Sequence, residues 1–172
     1  AVTFVNPEPL APFADVIAAG EAELLVPDLV DAFAEDGSRD RSRLLQGLTR
    51  RRGFYVPSLY DVTYAGPGRV EAITPKPGTD APPVVHKAAV KAADRLDPPA
   101  TSIFTPDTEF GSRFLVEVVR GCANLCRFCW AGYNYLPVRG FTRAELVARA
   151  REVRRVTRKI GLVSTAVCDH PE

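Results

Sequence analysis

The clearest pattern of apolar and polar positions lies in the last third of the chain. Arg113-Phe114-Leu115-Val116-Glu117-Val118-Val119-Arg120 is a β-branched apolar run bounded by arginines, and it predicts a strand. Further on, Leu146, Ala150, Val153, Val156 and Ile160 recur at helical spacing. They predict a helix from Arg143 to about Lys159, ended by Gly161. Thr142 and Glu145 form a capping-box pattern at its start, and Phe141 is placed to staple onto Leu146. Leu162-Val163-Ser164-Thr165-Ala166-Val167 predicts a short buried strand. A strand, a long loop, a helix and a strand make a crossover, so the two strands are expected to be parallel with a right-handed connection.

The first third alternates in a similar way. Val2 to Val5 predicts a strand, Asn6-Pro7-Glu8-Pro9 a turn, and Phe13-Ala14-Asp15-Val16-Ile17 a second short strand. Gly20-Glu21-Ala22-Glu23 opens a helical run through Leu24, Leu25, Leu29, Val30 and Phe33, which Pro27 is expected to kink or restart. Asp40 is a cap for another short helix through Leu44, Leu45 and Leu48. Residues 54–112 read as a proline-rich connector. Tyr60–Tyr64 and Val70–Thr74 flank Ala65-Gly66-Pro67-Gly68, a hairpin pattern. Val90 to Leu96 has room for one or two helical turns, and His86 reads as exposed or as capping backbone.

Composition changes this picture little. With 172 residues, 46% hydrophobic and 25% charged, the chain has ordinary globular composition. A net charge of +1 gives no nucleic-acid or membrane affinity by itself. The predicted long helix carries Arg143, Arg149, Arg151, Arg154, Arg155, Arg158 and Lys159. A solvated outer face, with cations favoured near a helix C-terminus, ranks well above RNA binding for these residues. No apolar run approaches the ~20 residues of a membrane span. The chain starts at Ala1 and contains no methionine, and it reads as an internal fragment of a longer protein.

The candidate chemistry is concentrated in one loop. Gly121 is followed by Cys122-Ala123-Asn124-Leu125-Cys126-Arg127-Phe128-Cys129, three thiols within eight residues directly after a predicted strand. Cysteines this close are soft ligands gathered for one soft metal centre. A disulfide framework does not suit four cysteines in a chain of this length. Zinc is the rival: Cys126 and Cys129 form a Cys-x2-Cys pair, and Cys168 or His170 would complete a four-ligand shell. The loop from Cys122 to Arg139 is longer than a connection needs, and it carries Trp130, Tyr133 and Tyr135.

This Cys-x3-Cys-x2-Cys spacing, with aromatic Phe128 before the third cysteine, resembles the radical S-adenosylmethionine (radical SAM) superfamily. The resemblance implies a [4Fe-4S] cluster on Cys122, Cys126 and Cys129. It implies S-adenosyl-L-methionine on the iron left without a protein ligand, and reductive cleavage to a 5′-deoxyadenosyl radical. Phe128 and Asp169 are the expected cofactor-binding residues, Asp169 because it leaves the same edge as the cysteine loop. The family's usual Gly-Gly-Glu pattern is absent at that second strand. An electron donor such as flavodoxin or ferredoxin, a cytoplasmic setting and an unidentified substrate are implied as well.

The first third resembles the end of the cobalamin-binding-like Rossmann domain that precedes many such barrels, through Asn6-Pro7-Glu8-Pro9 and Gly20-Glu21-Ala22-Glu23. The likeness extends through Tyr55-Val56-Pro57-Ser58 and Thr105-Pro106-Asp107-Thr108-Glu109. The cobalamin-ligating Asp-x-His-x-x-Gly motif does not occur, which leaves cobalamin open. The expected architecture is α/β. Residues 1–53 would end a Rossmann-like domain, 54–112 would form a connector with a hairpin, and 113–172 would begin a partial TIM barrel with its first β-α-β unit. The functional expectation is a radical SAM enzyme, with methyl or thiomethyl transfer among the reactions. The alternative is a zinc-stabilised RNA-binding module.

Overall fold

The computed structural model describes residues 6–37, 40–90 and 96–172, with the side chain of Asp169 excepted. The expected strand Val2–Val5, and all but the ends of the expected turns at Val90–Leu96, lie outside the described residues. The chain divides into two compact units, Ala1–Val90 and Lys91–Glu172.

In the first unit, prolines decide where the sheet begins. Residues Glu8–Phe13 form a 3-10 helix, and the strand predicted to start at Phe13 starts later. Pro9 and Pro12 fix φ and remove backbone donors, so no ladder can run through this stretch. The strand is correspondingly short: β1 is Ile17–Ala18, antiparallel to β2 at Phe54–Tyr55. Helix α1 runs unbroken over Ala22–Asp36 with Pro27 inside it. It stops at Gly37, whose φ of 50° is left-handed and suits a residue without Cβ. Asp40 caps α2, Arg41–Thr49, by accepting from the backbone N–H groups of Ser42 and Arg43.

Leu25, Ala32, Leu48, Phe54 and Ala88 form the main core of this unit, flanked by Leu29, Leu44 and Leu45. A second cluster joins Ile17, Tyr55, Tyr60 and Ala81. The hairpin expected around Pro67-Gly68 is present as β3, Tyr60–Gly66, and β4, Arg69–Pro75. The Gly20-Glu21 stretch is a junction. Gly20 bridges Ala88, and a Cβ at Gly20 would stand 2.2 Å from the Ala88 carbonyl oxygen. The buried Glu21 carboxylate accepts from the backbone N–H of Val90 at 2.9 Å. This acidic residue thus ties down a segment 69 residues away in sequence, and the bond answers the need of a buried polar group for a partner.

The second unit is built on β5, Phe114–Arg120, the middle strand of a three-stranded sheet. On one side it pairs in parallel with β7, Ile160–Ser164, starting at Phe114 opposite Ile160. On the other it pairs antiparallel with β6, Arg139–Gly140. Between β5 and β6 lies the short helix α3, Trp130–Asn134, and between β6 and β7 lies α4, Arg143–Val153. The capping box is formed: Thr142 Oγ1 accepts from Glu145 N–H, and the Glu145 carboxylate accepts from Thr142 N–H at 2.7 Å. Phe114, Val116 and Val153 form the core, with Phe104 and Leu146 against them.

Two expectations about this unit need correction. The helix ends at Val153, not near Lys159, in a tightened last turn, where the N–H groups of Arg154 and Val156 donate three residues back, to the Arg151 and Val153 carbonyls. Thr157 Oγ1 then takes the Lys159 N–H, a side-chain bond that competes with helix continuation. Ile160 and Gly161 therefore enter the strand, and Gly161 serves close packing instead of helix termination. A Cβ there would lie 2.7 Å from Leu115 Cδ2. The apolar pattern also predicts a buried last strand. Ile160, Leu162 and Val163 are instead 46%, 62% and 44% exposed. Strand β7 lies at the sheet edge, so β5 covers only one of its sides. Among the described residues, no helix is long and apolar enough to cross a membrane.

Candidate metal centre

The cysteine loop begins where β5 runs out. Gly121 adopts a φ of 90°, and a Cβ there would stand 2.4 Å from the Tyr135 carbonyl oxygen. The two ends of the loop are thus in backbone contact at a residue that has no side chain to prevent it. Thr165, just past β7, donates its hydroxyl to the Gly121 carbonyl at 2.7 Å. This bond places the exits of the two parallel strands side by side, as the crossover topology requires.

Arg139 closes the far end of the loop. Its side chain is almost wholly buried, and it donates from Nε to the Pro137 carbonyl at 2.8 Å and from Nη2 to the Tyr135 carbonyl at 3.2 Å. Guanidinium groups suit this task because their donors are fixed in a fork. Inside the loop, Tyr133 donates to the Leu125 carbonyl at 2.8 Å, and Leu125 itself has a φ of 47°. Trp130 meets Tyr135 edge-on, with ring centroids 5.2 Å apart. The loop therefore holds a defined path through its own side chains and backbone, in the manner of a compact Ω-loop.

The three cysteines occupy different surroundings on that path. Cys122 is buried, Cys129 is half-buried and Cys126 is exposed. The Asn124 amide donates to Cys122 Sγ at 3.3 Å, and Cys129 N–H donates to the Cys126 carbonyl at 2.9 Å. All four cysteines of the chain are free thiols. Among the described residues, no three ligating side chains converge into a group able to hold a metal ion. What fits a soft metal group is the donor chemistry, three reduced thiols on one short, anchored loop.

The other candidate residues fall as follows. Phe128 is 92% exposed. Asp169 ends a single 3-10 turn, Val167–Asp169, which follows β7 after Thr165 and Ala166, four residues beyond the Thr165 that bonds to Gly121. Its side chain is outside the described residues. Cys168 is exposed in the same turn. His170 is structural. Its Nδ1 accepts from Glu172 N–H at 3.1 Å, so Nε2 carries the proton and donates to the Phe141 carbonyl at 2.6 Å. Both ring nitrogens are thereby committed, which weakens the zinc shell that would have used this residue. Sequence reasoning missed Asn124 and Thr165. Both are ordinary polar residues whose partners, a sulfur and a carbonyl, come from the loop's folded path.

The family model described as "Radical SAM proteins, N-terminal" matches residues 1–57. That match supports the radical SAM superfamily. The cobalamin-binding-like subtype gains no such support. An uncharacterized protein of Methanocaldococcus jannaschii is 36% identical over 73 residues, which cover 40% of this chain and 16% of the relative. The aligned part of the chain thus spans 16% of the length of that curated relative. No solved structure matches the chain.

Proposed function

We propose that the chain is part of a radical SAM iron–sulfur enzyme in which Cys122, Cys126 and Cys129 hold a [4Fe-4S] cluster. The observation that carries this reading is the set of three free thiols on one anchored loop at the exit of β5, beside the exit of the parallel strand β7. When bound, such a cluster supplies the electron that cleaves S-adenosyl-L-methionine to a 5′-deoxyadenosyl radical. The chain's own residues have simpler tasks. The cysteines bind as thiolates, and Gly121, Thr165 and Arg139 hold the two ends of their loop. Asp169 offers a carboxylate for the amino group of S-adenosyl-L-methionine from the neighbouring strand exit. Phe128 offers an exposed ring to cover its adenine and exclude water.

The same reading takes β5, α4 and β7 as the first β-α-β unit of a partial TIM barrel, and residues 1–53 as the end of a Rossmann-like domain. A cytoplasmic, reducing setting suits free thiols of this kind. A flavodoxin- or ferredoxin-type donor would supply the electron. Anaerobic reconstitution of the full-length protein should yield about four irons and four sulfides per chain. Adding S-adenosyl-L-methionine should then perturb the electron paramagnetic resonance spectrum of the reduced cluster. Stoichiometric zinc in a folded, iron-free protein would favour the zinc module instead.

A further inference from the structure

Cys122 is the buried cysteine of the loop, and its sulfur receives a side-chain hydrogen bond. The donor is the Asn124 amide, 3.3 Å from Sγ. The loop turns sharply directly after Asn124. Leu125 takes a left-handed φ of 47° there, and a Cβ at Gly132 would stand 3.4 Å from the Leu125 Cα. The Cys122 backbone is fixed independently, through Gly121 and the Thr165 hydroxyl. The Asn124 amide points at the sulfur of this fixed residue.

We infer that Asn124 sets the reduction potential of the iron–sulfur centre by donating to the sulfur of Cys122. This inference rests on the proposed cluster. Donors directed at cluster sulfurs are among the determinants of potential. The physical reason is charge: reduction adds an electron to the thiolate-ligated centre, and an N–H dipole aimed at its sulfur stabilises the more negative state. Asn124 therefore raises the potential, which makes the first electron easier to deliver. It is a positioning residue for charge and touches no substrate.

The experiment is a redox titration of the anaerobically reconstituted full-length protein, followed by electron paramagnetic resonance. Iron content is measured on the same samples. Asn124→Leu should keep its iron and show a lower potential than the unaltered protein. Asn124→Asp, of the same size but carrying a carboxylate that repels the reduced centre, should lie lower still at neutral pH. Equal potentials in all three proteins would overturn the inference while leaving the cluster in place. Loss of iron in both variants would make Asn124 a structural residue and overturn it equally. If the unaltered protein takes up no iron, the proposed cluster itself fails, and the inference with it.

Discussion

The two units of this chain carry different kinds of information. The unit Ala1–Val90 contains the residues matched by the radical SAM N-terminal family model, yet it has no cysteine. The unit Lys91–Glu172 holds all four cysteines and lies outside that match. The first is knitted by contacts between distant segments, such as Gly20 against Ala88 and Glu21 with Val90. The second concentrates its long-range contacts on one parallel strand pair and on closing one loop. The likeness to a family and the donor chemistry are thus independent observations on separate bodies, and their agreement strengthens the functional reading more than either would alone.

The largest effect should separate the units outright. Replacing Cys122, Cys126 or Cys129 by Ala should abolish iron incorporation, whereas Cys168→Ala should leave it intact. Iron and sulfide analysis after reconstitution checks this, and hydrogen exchange should show the first unit untouched in all four variants. If Cys168→Ala loses iron as well, the three-cysteine assignment is wrong.

Next come the two glycines that permit backbone contact. Gly20→Ala and Gly121→Ala both force a Cβ into a carbonyl oxygen, at 2.2 Å and 2.4 Å, from positive φ values of 147° and 90°. Each should cost on the order of 1–3 kcal/mol or more, the range for strained backbone. Unit-resolved hydrogen exchange should place the loss in the first unit for Gly20→Ala and in the second for Gly121→Ala. Only Gly121→Ala should also reduce iron uptake, because only it opens the cysteine loop.

Smaller effects should distinguish the units by pH. Burial, and then the hydrogen bond it donates to Glu8, raise the Tyr55 hydroxyl well above its ordinary value. A raised folded value means stability that is complete below the ordinary tyrosine pKa of ~10 and is lost as pH climbs past it. The first unit should therefore weaken at alkaline pH, and Tyr55→Phe should flatten that dependence at a cost of about 1 kcal/mol near neutrality. In the second unit, hydrogen bonds from Thr142 lower the Glu145 carboxyl. A lowered folded value means stability present above the ordinary glutamate range and lost as pH falls through the folded value. Thr142→Ala should reduce that acid sensitivity, leaving the part due to the backbone N–H of residue 142, and cost about 1 kcal/mol of helix stability, as loss of a cap does. Urea titrations across pH, followed by hydrogen exchange, test both signs.

Much of the second unit is legible in the sequence. A β-branched run bounded by arginines has few alternatives to a buried strand, and β5 spans Phe114–Arg120. The capping box is legible because its two bonds join residues three apart. The end of α4 is not, because helical periodicity through Val156 and Ile160 ignores the tightened turns that end on the Arg151 and Val153 carbonyls and the Lys159 N–H taken by the Thr157 hydroxyl. In the first unit, the hairpin at Pro67-Gly68 follows from local turn chemistry. The roles of Gly20 and Glu21 do not, since Ala88 and Val90 are their partners across the unit.

The same division runs through the candidate site. By itself the sequence determined which residues have soft-metal chemistry, because three thiols in eight positions are a property of spacing alone. Only the tertiary structure decided that Cys122 is buried while Cys126 is exposed, and that both nitrogens of His170 are committed to backbone. It also decided that Thr165, Arg139 and Asn124 serve the loop. The reason is physical: donor identity is carried by each side chain, whereas burial and hydrogen-bond partnership belong to pairs of groups that only folding brings together.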